Sequence, residues 1–350
     1  MSQPYRSDRL RDFVSRIYAS AGVPEQDAAL MADSLVQADL WGHQSHGVLR
    51  MSWYYERLMN GVMKAVSQPE YVTDAGAIAV IDGNDGVGQV IARFAMQSAI
   101  AKAQKHGTAT IAVRNSNHFG TVMYYTRMAA EAGCAAFMTC NGGPAMAPWG
   151  SYGKKVIGTN PWSIAAPGGH RGPLLLDIAN TGVARGKIYL ARQRNEPIPL
   201  GWALDAKGQP TTDPVEAIAG MILPMAGHKG YVIGAMMDVL AGVLTGSQFL
   251  TAVNGPYHYD RKSGVGHFIT VYDVRAFMDY EQYTRRVEAF VDELKAAPLA
   301  AGHEAVFYPG ELEAHRDQQQ RESGIILPED TIIDLRRIAE RAGVAFDLRE

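Results

Sequence analysis

Cysteine is nearly absent: among 350 residues only Cys134 and Cys140 occur, both inside an apolar stretch. That rules out a disulfide framework and the paired spacing of a zinc ribbon, and it suits a reducing compartment. Runs of one charge sign are missing as well. Thirty-three Lys and Arg (33) against 36 Asp and Glu give a net charge of -3. Nucleic acid and anionic membranes need a basic face, so neither is an expected partner. Nor is there a long apolar run. The most apolar helical stretch, Tyr231 to Leu244, contains Asp238 and is too short for a bilayer, which takes about 20 residues. Met1 to Arg6 lacks the apolar core of a signal peptide, and a soluble cytoplasmic protein is expected.

Hydrophobic residues at 47% and charged ones at 20% describe an ordinary globular chain, long enough for about two domains. Leu10, Phe13, Val14, Ile17 and Tyr18 recur at helical spacing, and Ala28, Met31, Leu35 and Ala38 repeat the pattern behind Pro24. A third helix is expected over 51–59. From Val72 the pattern alternates. Strands are expected over 77–81, 108–113, 135–139, 162–165, 174–177 and 266–272, and helices over 88–106, 123–132, 230–244 and 280–296. A last helix starts at Pro328, with Leu335, Ile338 and Ala342 on its apolar side. Strand and helix do not alternate regularly to the end. An α+β fold follows, with a helical N-terminal layer and a mixed or antiparallel sheet.

Gly86-Val87-Gly88 follows a strand and opens a helix, as a dinucleotide-binding turn does. However, Ile91 replaces the third glycine, and the second strand ends in Arg114 where a ribose-binding acid belongs. A plain structural turn is the expected reading, not a Rossmann domain.

Chemistry concentrates elsewhere. Ser45-His46-Gly47-Val48-Leu49-Arg50 sets an imidazole four residues before a guanidinium. Imidazole can exchange a hydroxyl proton near neutral pH, and a guanidinium can hold a carboxylate by two parallel hydrogen bonds. On one helix, i and i+4 share a face, so both could meet one ligand; the same residues also read as a solvated helix end. Four further segments are dense in polar residues and glycine. Asn115 to Gly120 puts His118 in a strand-to-helix loop, either an acid/base or a helix cap. Gly158-Thr159-Asn160-Pro161 could approach a flat ligand, or simply turn. Asp177 to Lys187 offers an acid and hydroxyls for a ribose, or a solvated junction. Gly227-His228-Lys229-Gly230 opens an apolar helix and makes a phosphate site, or an exposed helix start. A metal site built on Asp39, His43, His46 and His118 is the rival reading, since His43 and His46 are i, i+3. No second ligand pair accompanies it.

Taken together, Ser45-His46-Gly47-x-x-Arg50, Ser116 to Gly120, Gly158 to Pro161, Asp177-x-Ala179, Gly186-Lys187, Gly201-Trp202-Ala203-x-Asp205, Gly208 to Pro214, His228-Lys229-Gly230, Pro309-Gly310-Glu311 and Gly324-Ile325 resemble one family. It is the malate/L-lactate dehydrogenase family that is distinct from the Rossmann-type enzymes. The resemblance implies a homodimeric oxidoreductase passing a hydride between NAD or NADP, NAD being favoured, and a small 2-hydroxy or 2-keto acid. It implies no metal. His46, oriented by Ser45, or else His118 would exchange the proton, and Arg50 would clamp the carboxylate. Lys187 stands where cyclic-imine reductases of the group carry an acid, which favours the hydroxy acid over imine reduction, the alternative activity. Cofactor contacts would come from His118, Phe119, Gly120, Thr159, Asn160, Pro161, Asp177, Ile178, Ala179, Asn180, Thr181, Gly182, Val183, His228, Lys229, Pro309, Gly310 and Glu311. Arg114, Arg185, Arg192 and Arg194 are all candidates for a 2′-phosphate. The expected division is a helical region over 1–68, a substrate and dimerisation domain over 69–120 with 300–350, and a cofactor domain over 121–299.

Overall fold

The computed structural model describes residues 3–348, with the side chains at 185, 186, 190, 193 and 194 outside the description. Helices α1 (Ser7–Ser20), α2 (Glu25–Leu40) and α3 (Met51–Met59) form the N-terminal layer. Leu10, Phe13, Val14 and Ile17 of α1 pack with Met31 and Leu35 of α2 in a core that Leu335 and Ile338 complete from the far end of the chain. Those two side chains belong to the C-terminal helix Glu329–Ala342, so the termini close on each other.

Next come β1 (Glu70–Ala75), β2 (Ile78–Asp82), α4 (Gly88–His106), β3 (Thr108–Ser116), α5 (Met123–Glu131), β4 (Cys134–Cys140), β5 (Trp162–Ala166) and β6 (Leu174–Ile178). Helix α4 begins where expected, at Gly88, a position that takes only glycine because a Cβ there would stand 2.4 Å from the His118 carbonyl. It stops at Gly107, held at φ +86°. The lobe that follows contains α6 (Arg185–Arg194), β7 (Ala203–Leu204), β8 (Pro210–Thr211), α7 (Pro214–Ala219) and β9 (Met221–Ile222) around Val183, Ile188, Ile198, Ala203, Ala217 and Ile222. Then come α8 (His228–Asp238), β10 (Val265–Asp273), α9 (Tyr280–Lys295), α10 (Glu311–Ser323) and α11 (Glu329–Ala342).

The main sheet has seven strands in the order β1-β2-β3-β10-β4-β5-β6. Only β2 and β3 run parallel; the other neighbours are antiparallel. A doubly wound parallel sheet is thereby excluded, and the α+β expectation holds. Residue 120 does not separate two sheets. Strand β10, late in the chain, inserts between β3 and β4, so strands on both sides of 120 share one ladder and one core. The helix expected over 230–244 starts at His228 and gives way to a π-helical turn over Val239–Val243.

Candidate active site

Helix α2 ends at Leu40, and Gly42, at φ +80°, turns the chain back. Two separate 3₁₀ turns follow, Gln44–His46 and Val48–Arg50, with extended Gly47 between them. His46 and Arg50 therefore do not share the face of one helix. The reason lies beneath the loop, where the buried Asp39 carboxyl accepts a hydrogen bond from Val48 N–H at 2.9 Å. A Cβ at residue 47 would lie 1.9 Å from Asp39 Oδ1. Burial pushes the Asp39 carboxyl up to about 8.

The loop nevertheless brings its groups together. Ser45 Oγ meets His46 Nδ1 at 2.9 Å, and Arg50 Nε donates to the Ser45 carbonyl at 2.7 Å. The guanidinium lies 4.0 Å over the Trp53 ring. No carboxylate approaches Arg50 within ion-pair distance among the described residues.

The second half descends from β3. Asn117, buried, donates to the carbonyls of Asp85 (3.2 Å) and Gly86 (2.7 Å) and accepts from Arg57 Nη2 (3.0 Å). Arg57 is itself buried on α3 and also donates to the His258 carbonyl. So fixed, the loop presents His118 to His46, with ring centroids 5.6 Å apart and planes within 17°. Burial, reinforced by the charge of Arg50 and by His43, lowers His46 to about 3. Burial also holds His118 well below the usual histidine range, with His46, Arg50, Arg57 and His267 contributing. Both rings are neutral at pH 7. The sequence reading missed Tyr54, whose hydroxyl lies 2.5 Å from His118 Nδ1. Its signal was available, because Tyr54 follows Arg50 by four residues on the apolar side of α3.

Other expected residues play different parts. Phe119 is buried edge-on against His267 and Tyr125. Asn160, at φ +39°, and Asn180 are buried and committed internally. Asn160 accepts from Gly142 N–H and donates to the Gly234 carbonyl; Asn180 donates to the Thr159 and Asn160 carbonyls and accepts from the Trp162 indole. Asp177 Oδ2 accepts from Met123 N–H at 2.9 Å, anchoring the start of α5, and burial raises it to about 6. Ile178 and Ala179 are half-buried beside it, Thr181 bridges to Pro224, and Gly182 N–H donates to the Leu223 carbonyl, just before buried Val183. The Pro309 carbonyl takes Leu175 N–H, Gly310 (φ +91°) lies on β6, and Glu311 pairs with Lys295 at 2.5 Å. Lys187 is exposed on α6, in the small lobe. Arg114 is paired with Asp82 at 2.8 Å, Arg192 is exposed, and the Arg185 and Arg194 side chains lie outside the described residues. The rival metal set is not assembled. His43 faces Glu313 at 3.5 Å, and no group of three or more His, Cys, Asp or Glu could hold a metal ion among the described residues.

The surroundings fit a flat, phosphate-bearing cofactor. A Cβ at Gly120 or Gly142 would meet nothing within 4 Å, and Thr121 Oγ1 is buried without a hydrogen-bond partner. His228 and Lys229 are exposed at the N-terminus of α8.

The malate/L-lactate dehydrogenase family model matches residues 5–336. A malate dehydrogenase of Pyrococcus horikoshii is 34% identical over 345 residues, covering 96% of this chain and 95% of that protein. An L-sulfolactate dehydrogenase of Methanocaldococcus jannaschii is 37% identical over 326 residues, covering 93% of each. The solved sulfolactate dehydrogenase from Methanocaldococcus jannaschii superposes with a TM-score of 0.92 at 34% identity, over 98% of both chains. Sequence and backbone superposition thus agree over nearly the whole chain, and this chain belongs to the malate/L-lactate dehydrogenase family of oxidoreductases.

Proposed function

We propose that the protein is an NAD(P)-dependent dehydrogenase of a small 2-hydroxy acid, malate- or lactate-like, working as a cytoplasmic homodimer. The observation that carries this is Arg50: a half-buried guanidinium stacked on Trp53, with no counter-ion among the described residues, beside two neutral histidines. A cation withdrawn from water is costly unless an anion joins it, and a planar carboxylate matches its fork. The substrate's carboxylate would sit on Arg50, and the histidine pair would face the neighbouring C2 oxygen.

The bound nicotinamide supplies the hydride acceptor or donor. Glycine-lined space at Gly120 and Gly142 supports a ring near His118, and the exposed His228-Lys229 helix start supports a pyrophosphate. Asp177, Asn160 and Asn180 would shape that wall through the backbone they hold. NAD is the favoured form; Arg114, the 2′-phosphate candidate at the end of β3, is already paired with Asp82. The protein residues contribute position: Arg50 fixes the acid, and a histidine holds or releases the hydroxyl proton.

The test is nicotinamide fluorescence on titration with NADH and NADPH, followed by a panel of 2-keto acids and one cyclic imine carboxylate. Saturable binding with oxidation by a keto acid is expected. Turnover of the imine alone would replace the hydroxy acid reading, and no binding of either cofactor would overturn the whole assignment.

A further inference from the structure

The site contains two histidines, and hydrogen bonding distinguishes them. At 3.3 Å the Gly120 backbone N–H donates to His118 Nδ1. An amide N–H can only donate, so Nδ1 must be an acceptor and carries no proton. The Tyr54 hydroxyl reaches the same nitrogen at 2.5 Å. Burial raises the Tyr54 phenol above its ordinary range, so it keeps its hydrogen. The O–H of Tyr54 is thereby left to point at Nδ1. Two donors on one nitrogen put the single proton of the neutral ring on Nε2.

The groups that face this ring all oppose a second proton. They are His46 and Arg50 from the loop after α2, Arg57 from α3 and His267 from β10. A neutral imidazole with hydrogen on Nε2 has no free electron pair there. It can donate a hydrogen bond and cannot accept a hydroxyl proton. His46 differs. Its Nδ1 faces Ser45 Oγ at 2.9 Å, and a hydroxyl accepts as readily as it donates, so Nε2 of His46 is free to be the basic nitrogen.

We infer that Tyr54 is a positioning residue that locks His118 as the Nε2–H tautomer, a hydrogen-bond donor to the substrate's C2 oxygen, and leaves proton exchange to His46. This rests on the hydroxy acid reading above. In oxidation, the C2 hydroxyl proton would pass to His46 Nε2, and a bound nicotinamide would supply the acceptor for the C2 hydride. The C2–O bond becomes a carbonyl, and His118 keeps its proton throughout. A neutral donor polarises that carbonyl without exchanging protons with the solvent.

Long-range proton–nitrogen NMR of protein labelled with ¹⁵N-histidine tests it without turnover. His46→Asn and His118→Asn assign the signals. The wild type should show His118 with bare Nδ1 and protonated Nε2, unchanged from pH 5.5 to 8.5. In Tyr54→Phe, Nδ1 should shift as one donor is lost, and kcat should fall by roughly tenfold, the value of one hydrogen bond, with KM little changed. A proton on Nδ1, a charged ring at pH 7, or unchanged His118 signals in Tyr54→Phe would each overturn the inference. Failure of cofactor titration would instead sink the dehydrogenase reading and leave the tautomer result standing.

Discussion

In the proposed mechanism Arg50 and His46 do separable work, so their substitutions should separate in kinetics. Arg50→Gln removes a charge-assisted contact and leaves the loop its other bonds. KM for the acid should rise about 10- to 100-fold while cofactor affinity stays put; an unchanged KM would show that the carboxylate binds elsewhere. His46→Asn should lower kcat by about 10²- to 10⁴-fold with cofactor binding retained, read by fluorescence titration and steady-state rates. His267 gives a stability signature. It is fully buried, bonds Ser116 Oγ at 2.7 Å, leaves Nδ1 unpartnered, and burial lowers it to about 3. Its folded pKa lies below the unfolded value of about 6.5. Its contribution is therefore complete above pH 6.5 and is lost as pH falls toward 3. Relative to His267→Gln, the wild type should lose about 1.6 kcal/mol of unfolding free energy in all between pH 6.5 and 5, the slope approaching about 1.4 kcal/mol per pH unit at the acid end. Urea unfolding at both pH values measures it, and a constant difference would contradict a neutral buried ring.

Among the elements, the paired 3₁₀ turns after α2 matter most. Gly47 is extended, a conformation any residue adopts, so glycine is required there by the Asp39 carboxyl and not by backbone freedom. Gly47→Ala should cost about 1–3 kcal/mol by overpacking and should reduce kcat/KM as the His46 turn shifts. Calorimetry with steady-state rates checks both, and a silent substitution would mean that Asp39 does not brace the loop. Helices α1, α4 and α9 and strands β3, β4 and β10 were legible in the sequence, since each buries one side or a continuous apolar run. Others were not. Strand β1 is exposed at every residue, so no alternation marks it. Helix α10 buries only Glu311 and therefore carries no apolar stripe.

Over the whole molecule, three cores form: the helical layer, the seven-stranded sheet with its helices, and the small lobe. No helix among the described residues is long and apolar enough to cross a membrane. Outside these cores, Val232 and Met236 of α8 and Val239, Val243 and Leu244 of its π turn remain exposed. An apolar stripe of that extent supports a second copy against it. For the proposed homodimer, Met236→Asp with Val243→Asp should halve the mass measured by light scattering; a dimeric mass retained by the variant would place the interface elsewhere, and a monomeric mass for the wild type would overturn the homodimer.

The sequence by itself determined the α+β class, which follows from local periodicity, and the family and its chemical groups, which follow from the ordered set of motifs. It also supplied His46, Arg50 and His118 as isolated motifs. Tertiary structure alone decided how they meet. Residues 46 and 118 stack only because Asp39 props one loop from beneath while Arg57 and Asn117 clamp the other. The insertion of β10 between β3 and β4 is likewise invisible locally, since strand pairing is a contact between distant residues. So is the assignment of Asn160, Asn180 and Asp177 to bracing, for a polar side chain reads the same in sequence whether it faces a ligand or a backbone amide.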